Sequence, residues 1–232
     1  MVCAPEPEMI GRLWLRYKQK QAEKARRRFY EKRRSLLKNE PFAIVSNNCW
    51  GGEVYKYFDL PFTSPFIGLY LFAEDYIRLL EQFERLDLSD IMFDHSSKDY
   101  PEPRWYPVGH LPGNLEVHFL HYKTQEEAES KWKRRVQRLR EIPADRIFFR
   151  FCDREDAKPE HFERFDRLGN SRKIAFSVNA LPYPYVFQSV ADPNHTDRVD
   201  DGVKLFEREL EKGFDLAHFL NTGVPVYRSR SL

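Results

Sequence analysis

The 232-residue sequence has little cysteine and no long apolar segment. Its three cysteines, Cys3, Cys49 and Cys152, do not form the paired framework of small secreted domains, which indicates a reducing, cytosolic setting. No apolar run reaches the roughly 18 residues that span a bilayer. The N-terminus lacks the apolar core and cleavage site of a secretory signal. We therefore expect a cytoplasmic protein, with peripheral association at the inner membrane face left open.

Several catalytic and binding signatures are also missing. Gly51-Gly52 is not followed by the Gly-Lys-Ser/Thr of a phosphate-binding loop. The sequence contains no Gly-x-Ser-x-Gly elbow, no His-Glu-x-x-His zinc site and no dinucleotide fingerprint. Zinc-finger spacing and RNA-recognition aromatic motifs are absent too, which argues against nucleic acid as a partner.

The charge that is present is distributed unevenly. Residues 1–40 hold 12 Lys/Arg and 5 Asp/Glu, although the net charge of the whole chain is only +2. Residues 9–38 contain no proline and many good helix formers, which predicts a long basic helix that ends before Pro41. An anionic membrane surface and a purely solvated helix both remain open as interpretations. We expect a basic helical extension over 1–40 and a single domain over 41–232.

From residue 41 onward, apolar runs alternate with amphipathic segments. This pattern predicts an α/β fold with a mixed, mainly parallel sheet and helices on both faces. A turn signal between two strand candidates predicts a hairpin over 106–122, which favours a mixed sheet. Thr124 and Glu127 form a capping box that predicts a helix start. Further strands are predicted at 42–45, 91–93, 147–151 and 174–178, and further helices at 71–85, 159–168 and parts of 203–220.

The segment Ser46–Gly52 follows a predicted strand, at the edge of the sheet where α/β proteins bind ligands. A thiol at a helix N-terminus or near a cation has a lowered pKa, so Cys49 is a candidate nucleophile. Asn47 and Asn48 could hold an oxyanion or a sugar hydroxyl. The pair Gly51-Gly52 would let backbone amides approach a phosphate. A small buried cysteine beside a tight turn is the alternative.

Histidines and a serine supply the next candidates. If residues 115–122 form one strand, Glu116 shares a face with His118 and could orient it as a base. His121 would then lie on the opposite face, near the carboxyl end of the strand. Partly buried histidines with satisfied hydrogen bonds are the alternative. Ser64, in a proline-rich aromatic loop, is a candidate hydroxyl contact in a pocket wall.

A charged segment follows the strand predicted at 147–151. Asp153, Glu155 and Asp156 could hold a divalent cation on a sugar diphosphate, with Arg154 neutralising phosphate. The alternative is an ordinary loop in which Asp156 caps the next helix.

Ordered motifs between residues 41 and 177 are shared with a bacterial family. They are Ser46–Gly52, Leu60-Pro61-Phe62, Ser64–Leu69, Tyr106–Gly109, Leu115–Tyr122, Glu126-Glu127-Ala128, Lys131-Trp132, Phe149, Phe151, Asp153-Arg154 and Phe165-Asp166. On these motifs the chain resembles the family called domain of unknown function nineteen-nineteen, often labelled exopolysaccharide biosynthesis protein. The resemblance implies an α/β fold and a role in making surface polysaccharide.

The resulting hypothesis is a transferase of exopolysaccharide or capsule biosynthesis, acting on a sugar or a lipid-linked glycan precursor. Glycosyl transfer would use a nucleotide sugar with Mg²⁺ or Mn²⁺ and a histidine base. Acyl transfer would use acyl-coenzyme A beside Cys49, because Asn48-Cys49 is similar to an Asn-Cys pair in some polysaccharide-modifying acetyltransferases. A non-catalytic binding or scaffolding protein of a polysaccharide assembly complex is the alternative.

Overall fold

A computed structural model describes residues 7–38 and 40–228, and in the first helix it describes side chains from Leu15 onward except Arg16. Cys3 lies outside the described residues. The elements in chain order are α1 (Pro7–Arg34), β1 (Ala43–Ser46), α2 (Trp50–Phe58), α3 (Ala73–Glu81), β2 (Met92–Asp94), β3 (Val108–Leu111), β4 (Leu115–His118), α4 (Gln125–Arg140), β5 (Ile147–Cys152), α5 (Pro159–Arg167), β6 (Lys173–Ser177), β7 (Val186–Gln188), β8 (Ala191–Asp192), β9 (His195–Val199), α6 (Gly202–Glu211) and α7 (Leu216–Thr222).

The central sheet has the strand order β1-β5-β6-β7, and all its neighbouring strands are parallel. The carboxyl ends of these strands therefore lie at one edge, where Ser46, Cys152 and Ser177 end their strands. A second, antiparallel sheet consists of β2, β3 and β4, and β8 pairs with β9. The predicted mixed, mainly parallel α/β fold is confirmed, with the predicted hairpin placed in the second sheet.

Two apolar layers cover the central sheet. Ala43 and Val45 of β1 face a core formed with α3, α4, α5 and the second sheet. Phe42 and Ile44 face the opposite core, formed with α2, α6 and α7. Alternate residues of a strand point to opposite faces, so the strand must be apolar throughout to be covered on both sides.

Helix α2 replaces the glycine loop predicted at Gly51-Gly52. Both glycines are buried in the first turn of this helix. A Cβ on Gly51 would lie 3.1 Å from Cγ2 of Ile44 and 3.1 Å from Cβ of Ser46, so the missing side chain lets α2 approach β1. The amide of Gly52 donates to the carbonyl of Cys49 at 3.0 Å. Gly51 thus serves close packing of α2 on β1, and the predicted approach of the backbone amides to a phosphate stays a prediction.

The predicted basic helix is present as α1, and its last turn is attached to the body. Arg33 donates from Nη1 to the carbonyl of Tyr57 at 3.1 Å, and Arg34 donates to the carbonyl of Asp59 at 3.1 Å. Most described residues of α1 before Arg33 are exposed. Among the described residues, no helix combines the length and the apolarity that crossing a bilayer requires.

Candidate functional site

A buried arginine organises the carboxyl edge of the central sheet. Arg150 of β5 is only 1% exposed, and its Nη1 donates to Oδ1 of Asn47 at 3.1 Å and to Oδ1 of Asn48 at 2.7 Å. The same nitrogen lies 3.3 Å from Sγ of Cys152. A buried guanidinium needs such acceptors, because removing its charge from water is costly. We call Asn47, Asn48, Arg150 and Cys152 the carboxyl-edge cluster.

The two asparagines are committed to this cluster. Oδ1 of Asn48 also accepts from the amide of Trp50 at 3.3 Å, at the start of α2. Nδ2 of Asn48 lies 3.2 Å from Sγ of Cys152, and Nδ2 of Asn47 lies 3.7 Å from it. A ligand oxyanion or hydroxyl would have to compete with these partners. Asn48 thus positions the start of α2, and Asn47 holds the side chains of Arg150 and Cys152.

Cys49 lies immediately before α2 and is half-buried. Burial raises the pKa of its thiol to about 11, and the negative charge of Glu155 raises it further. The nucleophilic role considered for Cys49 needs a lowered pKa, which is the opposite direction. A helix dipole contributes only about 0.3–1 kcal/mol at an exposed terminus, and here desolvation outweighs it. At neutral pH Cys49 is a thiol and not a thiolate.

Glu155 lies in the loop after β5 and is largely buried, with 16% of its side chain exposed. Burial raises its pKa to about 7, although the charges of Arg154, Arg150 and Arg198 oppose that shift. Its buried Oε2 has no hydrogen-bond partner among the described residues and lies 3.8 Å from Nε of Arg154. Its backbone is left-handed, with φ of 55°. A carboxyl group with a pKa near neutrality in a strained loop is typical of an acid–base catalyst.

Asp153 and Arg154 hold the β8–β9 hairpin against the sheet. The carboxylate of Asp153 accepts from the amide of Val178 at 2.6 Å and from the amide of Val199 at 2.8 Å. Nη1 of Arg154 donates to Oδ2 of Asp192 at 3.0 Å and to the carbonyl of Val199 at 3.0 Å. Asp153 and Arg154 therefore fasten the neighbouring backbone, and their predicted contact with a cation or a diphosphate stays a prediction.

A second polar group lies at the end of β4. Single donor atoms of Asp99, Glu116 and His118 all lie within 4.8 Å of one another, and we call these residues the His118 cluster. Nε2 of His118 is 3.6 Å from Oε2 of Glu116, so the predicted shared face is present. Burial lowers the pKa of His118 to about 3, with the charge of Arg104 as the next cause. So weak a base is poorly suited to taking a proton from a hydroxyl at neutral pH.

One short segment connects the two clusters. The amide of Tyr70 donates to the carbonyl of His118 at 3.0 Å, and the amide of Leu71 donates to the carbonyl of Asn47 at 3.0 Å. The amide of Ala73 donates to the carbonyl of Glu155 at 2.8 Å. The segment Tyr70–Ala73 therefore runs along the carboxyl edge with Glu155 at one end and His118 at the other.

The structure does not bring Ser64 or His121 into either cluster. Ser64 is fully buried, and its hydroxyl accepts from the amide of Phe66 at 3.2 Å, which shapes the loop. Strand β4 ends at His118, and the following residues turn, with the amide of Tyr122 donating to the carbonyl of Phe119 at 3.1 Å. His121 therefore lies exposed on a turn and not on the predicted strand.

A voluminous groove lies elsewhere in the structure. It encloses about 1060 Å³ beside the amino ends of β5 and β6, with Ile147 and Arg172 in its lining. Arg140 and Asp87, also in its lining, pair with each other at 2.8 Å. None of the candidate residues above lines it. We place the candidate active site at the opposite edge because the groups with perturbed pKa and unsatisfied polar atoms lie there.

Comparisons with known proteins support the resemblance found in the sequence. A family described as "Domain of unknown function (DUF1919)" matches residues 20–221, a wider range than residues 41–177 and one that includes part of α1. An "Uncharacterized protein" of Haemophilus influenzae (strain ATCC 51907 / DSM 11121 / KW20 / Rd) is 32% identical over 167 residues, covering 71% of this chain and 75% of that protein. With a family match over most of its length, this chain belongs to the DUF1919 family.

Proposed function

We propose that the protein is a transferase of exopolysaccharide or capsule biosynthesis that acts on a sugar or a lipid-linked glycan precursor. The observation that carries this proposal is Glu155, a largely buried carboxyl group with a pKa of about 7 beside the carboxyl edge of a parallel sheet. Transfer to a hydroxyl needs a base that is half-ionised near neutral pH. The family resemblance supplies the polysaccharide context.

Of the two transfer chemistries, we favour glycosyl transfer. Glu155 takes the proton of the acceptor hydroxyl while the hydroxyl oxygen forms a bond to the anomeric carbon of the donor. The bond from that carbon to the diphosphate oxygen breaks, and its electron pair stays on the leaving group. Covalent acyl transfer through Cys49 is less favoured because the raised pKa of its thiol leaves little thiolate to attack an acyl-coenzyme A.

A panel of donors tests the reaction class. We expect nucleotide sugars to raise the melting temperature of the full chain and coenzyme A derivatives to leave it unchanged, since a ligand that binds only the folded state stabilises it. Product formation is then measured by mass spectrometry with the donor that stabilises most and a set of glycan acceptors. Stabilisation by acyl-coenzyme A alone would reassign the reaction to acyl transfer, and no response to either class would favour the scaffolding alternative.

We further propose that α1 holds the protein at an anionic membrane surface, near lipid-linked acceptors. Basic side chains before the anchored last turn are exposed, including Lys20, Lys24 and Arg26–Arg28. Each basic residue near an anionic leaflet contributes about 1 kcal/mol. Because Arg33 and Arg34 attach the helix beside α2, such contact would bring the body of the protein close to the bilayer.

A further inference from the structure

We infer that the His118 cluster binds one divalent metal cation. The sequence suggested a cation at Asp153, Glu155 and Asp156, but the donor atoms of these three described residues do not converge within 4.8 Å of one another. The His118 cluster instead combines two carboxylates and one imidazole whose donor atoms lie within 4.8 Å of one another. Bonds of about 2.0–2.2 Å to one cation place two ligand atoms at most about 4.4 Å apart, and the 3.6 Å between Nε2 of His118 and Oε2 of Glu116 lies within that limit.

The unpartnered imidazole is the observation that indicates a ligand. His118 is 0% exposed, and neither of its ring nitrogens has a hydrogen-bond partner among the described residues. A buried polar group without a partner costs about 1–3 kcal/mol, so its persistence needs an explanation. The ring is stacked on Tyr70 at 4.6 Å, which fixes its orientation with Nε2 near Glu116. A cation between the two side chains would satisfy the nitrogen.

The carboxylate of Glu116 accepts hydrogen bonds on both oxygens, as metal-binding carboxylates often do. Its Oε2 accepts from the hydroxyl of Ser97 at 2.6 Å, and its Oε1 accepts from the amide of Lys98 at 2.7 Å. Such outer partners orient a ligating carboxylate and leave lone pairs for the metal. The ammonium of Lys98 is directed elsewhere, to Oδ1 of Asp75 at 2.6 Å and the carbonyl of Asn114 at 2.7 Å. It therefore does not take the place of a cation between Asp99 and Glu116.

Asp99 supplies the entry to the site. It is exposed, whereas Glu116 and His118 are buried, so a cation can reach the cluster from solvent at Asp99. A bound cation would relieve the repulsion between the carboxylates of Asp99 and Glu116. One imidazole with two carboxylates suits Mn²⁺, which is therefore the probe.

The binding experiment uses the full chain and Mn²⁺ alone, followed by electron paramagnetic resonance of the free ion. We expect one bound Mn²⁺ per chain and a loss of affinity of at least about 10-fold in Asp99→Asn and in Glu116→Gln. Glu129→Gln and His195→Asn, which change a partly exposed carboxylate and an exposed imidazole outside the cluster, should bind as the unchanged chain does. Circular dichroism verifies folding, and Asp99→Asn keeps the test valid if Glu116→Gln fails to fold.

No Mn²⁺ binding by the unchanged chain would overturn the inference, and so would equal binding by Asp99→Asn. The measurement contains no sugar donor, so its result is independent of the proposed transferase activity. In the proposed transferase, the cation would hold the diphosphate of the donor near Glu155. That role alone rests on the proposed function. A chain that binds Mn²⁺ but transfers no sugar would keep the metal site and refute the function.

Discussion

Glu155 illustrates how a single residue obtains its chemistry from its surroundings. Its side chain is removed from water beside Arg154, Arg150 and Arg198, yet its Oε2 receives no hydrogen bond from the described residues. Hydrogen bonds to a carboxylate lower its pKa, and their absence lets burial dominate. The consequence is a group that can accept and release a proton near neutral pH.

Replacing Glu155 tests this role directly. We expect Glu155→Gln to lower the transfer rate by roughly 10²–10⁴-fold, because the amide cannot accept the proton of the acceptor. In the unchanged protein the rate should rise with pH through about 7, since only the ionised carboxylate is a base. Initial rates across the pH range check both expectations. Glu129→Gln, a change at a partly exposed position on α4, serves as the control. Full activity in Glu155→Gln would contradict the assignment.

For Cys49, in contrast to Glu155, we expect replacement to cause little loss of activity. Its pKa of about 11 leaves it protonated at neutral pH, so we expect Cys49→Ala to keep its transfer rate within a few-fold of the unchanged protein. The rate is measured with the same donor and acceptor as for Glu155. Complete loss of turnover in a variant that circular dichroism shows to be folded would restore covalent catalysis by the thiol.

At the scale of elements, the start of α2 determines the shape of the carboxyl edge. The backbone amide of Trp50, at the start of the helix, donates to Oδ1 of Asn48. The missing side chain of Gly51 allows the helix to contact β1. Helix α6 also packs there, because a Cβ on Gly202 would lie only 2.6 Å from the backbone nitrogen of Trp50. Small residues at these contacts keep two helices close to the strand end that carries the cluster.

The two glycines of α2 form a matched pair for a stability test. A Cβ at Gly51 would lie 3.1 Å from side chains of β1, so we expect Gly51→Ala to lower the free energy of unfolding by about 1–3 kcal/mol. A Cβ at Gly52 would meet only Cγ2 of Ile67 at 3.6 Å, an ordinary contact. Gly52→Ala should therefore be neutral or stabilise by up to about 1 kcal/mol. Urea unfolding measures both, and equal effects would contradict the packing argument.

At the scale of the whole molecule, the excess of basic residues lies in the N-terminal segment that contains α1. The exposed basic helix α1 projects from the body and is attached to it at Arg33 and Arg34. The family match from residue 20 includes part of this helix, so α1 is not simply an extension outside the shared domain. This arrangement is suited to a surface contact that leaves the carboxyl edge free.

Binding to vesicles tests that contact. We expect the full chain to co-sediment with vesicles that contain phosphatidylserine and to lose most of this binding when Lys20, Lys24, Arg26, Arg27 and Arg28 are changed to Gln. Raised salt should weaken binding as well, since the charges are screened. Lys131→Gln, Lys133→Gln and Arg134→Gln on α4 provide a control of similar chemistry. Equal binding to neutral vesicles would sink the membrane proposal.

Much of the architecture followed from local signals. Apolar runs predicted β1, β5 and β6 of the central sheet, whereas β7 was not predicted. Thr124 with Glu127 predicted the start of α4, where the Thr124 hydroxyl accepts from the amide of Glu127. Helix α2 was missed because two glycines at a helix start have low helix propensity, and contact with β1 explains only Gly51. The early end of β4 at His118 was missed because an apolar run does not reveal a turn.

The sequence by itself determined the α/β class, the strand end that carries Asn47–Cys49 and the pairing of Glu116 with His118 on one face. These features depend on the spacing of apolar residues along the chain, which can be read from short stretches of sequence. Only the tertiary structure decided that Asp153 is occupied by backbone amides, that Cys49 stays protonated and that Glu155 titrates near neutral pH. The tertiary structure also places a carboxylate oxygen of Asp99 within 4.8 Å of a ring nitrogen of His118. Burial and charge act through space, and residues distant in the chain supply both.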